Sequence, residues 1–331
     1  MNSFTPVSSV GERELIRRLS RIFYQDSNRD VLIGPGKDDC AVLSAGDGEC
    51  IVVTTDMLHR TTDFPQQMSG WQIGWMSAAV NLSDIAAMGA NPCGILAAIG
   101  LQSDCDVGFV EEIARGLHAC AASCGTSVIG GDIDTHDELT ITGTAVGKVS
   151  EDRLLTRKGA KPGDMVCVTG YAGSAGAALY ALENNIETSE SLLKKLFEPI
   201  PRVRESLSLA DSGAVTSMMD TSDGIAISLY DLADASDVGF IIYEDRLPLQ
   251  DDLKQLIHEP ERLLDYSLYS GGDFELLFTL SPEKVSDATK TCDFTIIGKV
   301  AEKDMGITLE RPQANNLSIS RKGYLQLKDT D

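Results

Sequence analysis

Six aspartates, Asp39, Asp56, Asp84, Asp132, Asp220 and Asp223, each sit in a short run of small residues, at a turn or on an alanine-rich helical stretch, with little cationic company nearby in the chain. Like charges gathered in one place repel and raise one another's pKa. A fold that brings these runs together therefore needs a cation at their centre. Hard divalent ions with oxygen ligands meet that need, and Mg²⁺ takes one or two carboxylates plus substrate phosphates. Either the six aspartates part company in the fold or they converge on metal.

The chain of 331 residues is long enough for two domains of ordinary size, and a 43% hydrophobic fraction supports a substantial core. Its net charge of −22 argues against nucleic acid and anionic membranes as partners. The apolar stretches are broken well short of a membrane span, and the start, MNSFTPVSSVGERELIRRL, lacks the basic-then-apolar order of a signal peptide. Eight scattered cysteines without a CxxC pair fit reduced thiols in the cytoplasm. The chain holds four histidines and no HExxH, and it lacks a GxxxxGK[ST] loop, a GxSxG elbow and the HRD and VAIK runs of protein kinases. Histidine-based acid–base chemistry has little material here.

Apolar periodicity predicts a helix over 11–25, with Leu15, Ile16, Leu19, Ile22 and Phe23 on one face. CIVVTTDML, GILAAIGL, SVIGG and ELTITGTAVGKV read as strands, and residues 70–90 and 106–124 as helices. The basic glycine- and proline-bearing turn RKGAKPGD marks a boundary near 150–165, after which MVCVTG, VGFIIYE and FTIIGKV read as strands and SAGAALYALENN, SLLKKLFEP and IAISLYDLADAS as helices. The expected fold is mixed α/β (α+β), with domains at 1–150 and 151–331.

Each acidic run has two readings. Gly34-Pro35-Gly36-Lys37-Asp38-Asp39 is a solvated turn or a mobile metal-binding loop. Thr54-Thr55-Asp56 ends a β-branched run, as a turn cap or as a ligand set of hydroxyls and a carboxylate. Asn81 and Asp84 share one helical face among Ala78, Ala79, Ala86 and Ala87, where close packing would leave a carboxylate in need of a partner. Ile129-Gly130-Gly131-Asp132 reads as a strand-to-loop turn whose bare N–H groups and carboxylate suit a phosphate with its Mg²⁺. In Met219-Asp220-Thr221-Ser222-Asp223-Gly224, Ser222 or Asp223 is a candidate N-cap for the following helix, with Asp220 as a second acid nearby.

Taken in order, GPGKDDCAVL, VVTTDMLHRTTDF, AVNLSDIAAMGANP, IGGDIDTHDELTITGTAVG, TRKGAKPGDMVCVTG, MDTSDGIAISLYDLADAS, DRLPL and YSGGDFELLFTL resemble the thiamine-monophosphate kinase family, part of the superfamily of aminoimidazole ribonucleotide synthetases and selenophosphate synthetases. The resemblance implies ATP-dependent phosphorylation of thiamine monophosphate to thiamine diphosphate, by direct in-line transfer assisted by several Mg²⁺ ions. It implies metal ligands at Asp39, Thr54, Thr55, Asp56, Asp84, Asp132, Asp220 and Asp223, with Asp84, Asp132 and Asp220 central to catalysis, and ATP contacts at Gly131, Asp132, Arg157 and Ser222. It also implies a homodimer pairing N-terminal strands into a shared barrel, with the C-terminal domain closing over each site.

The chain departs from the family pattern on the substrate side. Asp63 stands where relatives carry a histidine facing substrate, Met76 where many carry a lysine, and SGGDFEL is one acid shorter than the usual run, leaving Asp273 there. Tyr324 corresponds by position to the aromatic residue that lies against the thiamine ring in relatives. Two alternatives stand beside this reading: another superfamily enzyme acting on a different phosphorylated small molecule, and a non-catalytic nucleotide-binding protein on the same scaffold.

Overall fold

The computed structural model describes residues 6–24 and 28–326, so residue 25 of the expected first helix and the chain from Leu327 onward lie outside the described residues. The first half contains α1 (Glu12–Phe23), β1 (Val31–Ile33), β2 (Ala41–Gly46), β3 (Glu49–His59), α2 (Gly70–Ala87), β4 (Asn91–Leu101), α3 (Val107–Ser123), β5 (Val128–Thr135) and β6 (Thr140–Ser150). The second contains β7 (Met165–Val168), α4 (Ser174–Glu183), α5 (Glu190–Phe197), α6 (Val203–Ser212), β8 (Val215–Asp220), α7 (Ile225–Ser236), β9 (Gly239–Tyr243), α8 (Asp251–Leu256), α9 (Pro260–Tyr269), β10 (Leu276–Leu280), α10 (Val285–Ala288), β11 (Thr295–Ala301), β12 (Ile307–Glu310) and β13 (Leu317–Ser318). The mixed α/β class follows as the sequence pattern led us to expect.

The strands form two sheets, a six-stranded one in the order β1-β2-β3-β6-β4-β5 and a seven-stranded one in the order β13-β12-β9-β11-β7-β10-β8. Helix α2 lies on one face of the first sheet and carries Asp84. It begins at a capping box in which the Gln72 N–H donates to Ser69 Oγ at 3.2 Å and the Ser69 N–H donates to Gln72 Oε1 at 3.1 Å. Its alanines and Ile73, Leu82 and Ile85 are fully buried, because α2 is wedged between the sheet on one side and α3, α6 and β8 on the others. Gly74 and Gly116 make the α2–α3 contact possible: a Cβ at either would come within 1.9 Å of the carbonyl oxygen of Ile113 or Trp71.

The opposite face of the first sheet is open. Strands β3 and β6 pair over their full length, and Val53, Thr55 and Met57 with Thr142, Thr144 and Val146 fall on that open face, partly or fully exposed. Met57 on that face is 56% exposed; Ile133, on the edge strand β5, is 68% exposed but lies in the row of Ile141 and Ile99, which faces the other way. Gly130-Gly131-Asp132 does not form the expected strand-to-loop turn: β5 runs on through Thr135, parallel to β4. Glycine is needed at 131 for that pairing, since a Cβ there would meet the Ala97 carbonyl oxygen at 1.9 Å.

Candidate active site

Asp39, Asp56, Asp84 and Asp220 arrive from four separate elements. Asp39 follows the Gly34–Gly36 loop, Asp56 lies on β3, Asp84 on α2 and Asp220 at the end of β8. One carboxylate oxygen from each of Asp39, Asp84 and Asp220 lies within 4.8 Å of the others. Hydroxyls orient them. Thr54 Oγ1 donates to Asp84 Oδ2 at 2.5 Å, Ser83 Oγ donates to Asp220 Oδ2 at 2.5 Å, and the Ser222 Oγ and N–H donate to Asp220 Oδ1 at 2.9 and 3.2 Å. Asn81 steers the neighbouring strand, its Oδ1 accepting from the Asp56 N–H at 3.1 Å.

The electrostatics are those of acids crowded in a dry place. Burial pushes the Asp39 carboxyl up to about 7; Arg157 opposes this, and Asp220 and Asp38 add to it. Burial raises Asp56 to about 6, with Asp220 adding to the shift. Burial also carries Asp84 well above the usual carboxylate range, and Asp56, Asp220 and Asp39 push in the same direction. Asp223, just beyond Asp220, rises to about 7 through burial, with Asp220 and Glu12 adding and Arg13 opposing.

Among the described residues, Arg157 is the cation that reaches Asp39. The Arg157 guanidinium donates to Asp39 Oδ1, its backbone N–H donates to Asp38 Oδ2 at 3.1 Å, and its Nη1 lies 3.7 Å from Asp231 Oδ2. Asp39 Oδ2 remains buried without a hydrogen-bond partner. A buried, unpaired oxygen on a carboxylate that lies against two further carboxylates is a costly arrangement unless a cation completes it. The donor set is all oxygen, which fits Mg²⁺.

The other expected site residues fall elsewhere. Thr55 points to the open face of the sheet, its hydroxyl donating to the Gly143 carbonyl oxygen at 2.7 Å. Asp132 also leaves the cluster. In register, Asp56, Gly143, Ala97 and Gly131 form one row across the sheet, and Met57, Thr142, Ala98 and Asp132 form the next. Neighbouring rows face opposite ways, so Asp132 points away from α2 while Asp56 points toward it. Three strand spacings also separate β3 from β5, about 14 Å. The six aspartates therefore do not meet within one chain.

Ser222 and Asp223 do not cap α7, whose N-cap position is Gly224 at φ 101°; they occupy the turn before it. Asp63 and Tyr324 come together at the rim. Gln326 Nε2 donates to Asp63 Oδ1 at 2.6 Å, the Tyr324 N–H donates to the Asp223 carbonyl oxygen at 3.0 Å, and burial, then Asp63, Asp223 and Glu12, raise the Tyr324 phenol. Asp273, which the resemblance puts on the substrate side, accepts at the start of α4 from the N–H groups of Gly173 at 2.5 Å and Ala175 at 2.9 Å. Sequence reasoning missed Asp231, which accepts two bonds from Arg13 at 2.7 and 3.0 Å, because a single acid inside a helical repeat carries no local signal.

A metal-free form of this site has a testable signature. The native state holds protons on Asp38, Asp39, Asp56 and Asp223 up to about pH 6–7, whereas the unfolded chain releases them near the ordinary carboxylate range. These groups therefore contribute stability that is fully present below about pH 4 and is lost as pH rises through about 7. In EDTA the melting temperature should fall between pH 5 and pH 8, on the order of 5–10 °C, and Mg²⁺ should abolish that fall. A melting temperature independent of pH and Mg²⁺ over this interval would show that the carboxylates are not coupled as described.

Comparison with known proteins places this geometry. Residues 37–149 match the family of AIR synthase related proteins through its N-terminal domain, and residues 161–310 through its C-terminal domain. The thiamine-monophosphate kinase of Methanospirillum hungatei is 45% identical over 289 residues, covering 87% of this chain and 92% of that protein. The thiamine-monophosphate kinase of Escherichia coli K12 is 34% identical, covering 96% of this chain and 98% of that protein. Among solved structures, AaThiL complexed with AMPPCP and TMP superimposes with a TM-score of 0.84 at 26% identity, covering 98% of this chain and all of that one. Carboxylates gathered from both halves of the chain and relatives that match along nearly all of it lead to one assignment: this chain belongs to the thiamine-monophosphate kinase family of AIR synthase related proteins.

Proposed function

We propose that this protein transfers the terminal phosphoryl group of ATP to the phosphate of thiamine monophosphate, yielding thiamine diphosphate. The observation that carries the reading is the convergence of Asp39, Asp84 and Asp220, which has no economical explanation without a cation. The relative solved with AMPPCP and TMP supplies the ligand classes. When bound, Mg²⁺ would neutralise and clamp the phosphoryl oxygens. Asp39, Asp56, Asp84 and Asp220 would hold it, with Thr54 and Ser83 fixing the orientation of two of those carboxylates. The acceptor is a phosphate monoester, whose second pKa is about 6, so it is mostly ionised near neutrality and needs no general base. Arg157 and Ser222 are offered to the nucleotide, with the Gly131 backbone supplied beside Asp132 by the second copy, and Asp63 and Tyr324 are offered to the acceptor's ring end.

The active form in this reading is a homodimer. Support comes from the open face of the first sheet, where Met57 is exposed, and from the free edge of β5, where Ile129 and Ile133 are exposed apolar residues of the kind a partner covers. Asp132, turned to that face, is then assigned to the second copy's site. We place the protein in the cytoplasm. All eight cysteines are free, and among the described residues no helix is long and apolar enough to cross a membrane. The reading is tested by incubating the protein with ATP, Mg²⁺ and thiamine monophosphate and separating products by chromatography, with thiamine and other monophosphates as controls. Thiamine diphosphate from the monophosphate alone is the expected result; product from thiamine instead would overturn the acceptor assignment.

A further inference from the structure

Beside the carboxylate cluster lies a cavity of about 840 Å³ between α1 and the Gly34–Gly36 loop. Five basic and four acidic residues line it, in a chain with 28 basic and 50 acidic residues. That local reversal is built rather than incidental. Helix α1 is seated directly on the glycine loop, since a Cβ at Gly36 would meet Ser20 Oγ at 3.0 Å and Ile16 at 3.2 Å, and one at Gly34 would meet the Tyr24 hydroxyl at 2.8 Å. The Arg13–Asp231 fork ties the helix to α7.

The acids of this wall are largely engaged. Asp231 takes Arg13, Asp38 takes the backbone N–H of Arg157, and Glu12 accepts from the Gln326 N–H at 2.9 Å. Among the described residues, Arg21 and Lys37 have no ion-pair partner, and Arg17 pairs only with Glu14 one turn away. Three cations thus face a cavity that also contains Arg157 and Asp223 at the edge of the cluster.

We propose that Arg21 and Lys37, assisted by Arg17, form a cationic wall that grips the phosphoryl oxyanions of a substrate entering the cluster. The inference rests on the kinase reading for its reaction, but its core is an anion site that can be measured without turnover. The ligand is a polyphosphate tail or a phosphate monoester, and the two differ in which substrate's KM moves.

The test uses the full chain with Arg21→Gln, Lys37→Gln and the double variant. Affinity for inorganic tripolyphosphate, read by calorimetry in Mg²⁺ buffer, should fall about tenfold in the double variant, the order expected for losing charge-assisted contacts to phosphate. In kinetics the loss should appear in KM rather than kcat and steepen as salt is lowered. A rise in KM for ATP assigns the wall to the nucleotide tail, and a rise for thiamine monophosphate assigns it to the acceptor phosphate. Arg21→Lys should restore most of the affinity. Arg18→Gln, which removes the same charge from the same helix but does not line the cavity, should change nothing. Unchanged tripolyphosphate affinity in the double variant, or an equal loss in Arg18→Gln, overturns the proposal. Wild-type protein that binds tripolyphosphate but makes no thiamine diphosphate would overturn the kinase reading and leave the wall standing.

Discussion

Asp84→Asn is expected to lower turnover by about 10²–10³-fold while raising the melting temperature of the metal-free protein. The two effects have one cause. Asp84 is half-buried beside Asp39, Asp56 and Asp220, and each of those carboxylates opposes its ionisation. Asparagine keeps the shape and can still accept from Thr54 Oγ1, but it removes an acid whose ionisation the folded state opposes and presents an N–H₂ where a cation would need an oxygen. The fold is therefore relieved of repulsion while the site loses a ligand, the usual trade between function and stability. At pH 8 in EDTA the melting temperature should rise by about 3 °C. Asp220→Asn should lose as much activity without that gain, because Asp220 also accepts from Ser83 across the junction of the two halves and from Ser222 in its own turn. The measurements are turnover at saturating Mg²⁺, ATP and thiamine monophosphate, and thermal melts in EDTA. Wild-type turnover in both variants would remove the cluster from the mechanism.

How much of this was legible beforehand depends on where each signal lies. The run Asn81–Ala90 was readable because small residues flank a carboxylate at helical spacing, and small residues mean close packing on every side. Asn81 and Asp84 do share the face toward β3, and Ala78, Ala79, Ala86 and Ala87 are fully buried. Gly130-Gly131 misled for a physical reason: glycine pairs usually mark turns, but here Gly131 lets β5 come close to the Ala97 carbonyl inside a continuing strand. The faces of neighbouring strands were not readable at all, since they depend on register between segments distant in sequence. The short late strands β12 and β13 and the helices α8 and α9 also escaped, their apolar repeats being too brief to stand out. The anchoring of α1 to Asp231 became visible only once α1 and α7 were seen side by side.

Asp132 supplies the second large expectation, because register separates two models that a single-site substitution cannot. If Asp132 served its own chain, it would have to reach Asp56 from the opposite face of the sheet and from three strands away. If two copies pair through the open face and the free β5 edge, the carboxylate is turned toward the partner rather than toward its own cluster, and the homodimer reading assigns it to the partner's site. Asp132→Asn and Asp220→Asn homodimers should each be nearly inactive. Mixed and re-equilibrated in equal amounts, they form heterodimers in which one site has both aspartates from different chains and the other has neither. Half of the dimers then carry one intact site of two, so activity should return to about a quarter of the wild-type value. A site built within one chain would give no recovery, since every site in the mixture would lack one of the two carboxylates. The control pair, Asp84→Asn mixed with Asp220→Asn, should stay inactive, because both of those residues act in the same chain. Recovery in the control as well would mean that the cluster itself is divided between copies, against the hydrogen bond from Ser83 to Asp220 within one chain.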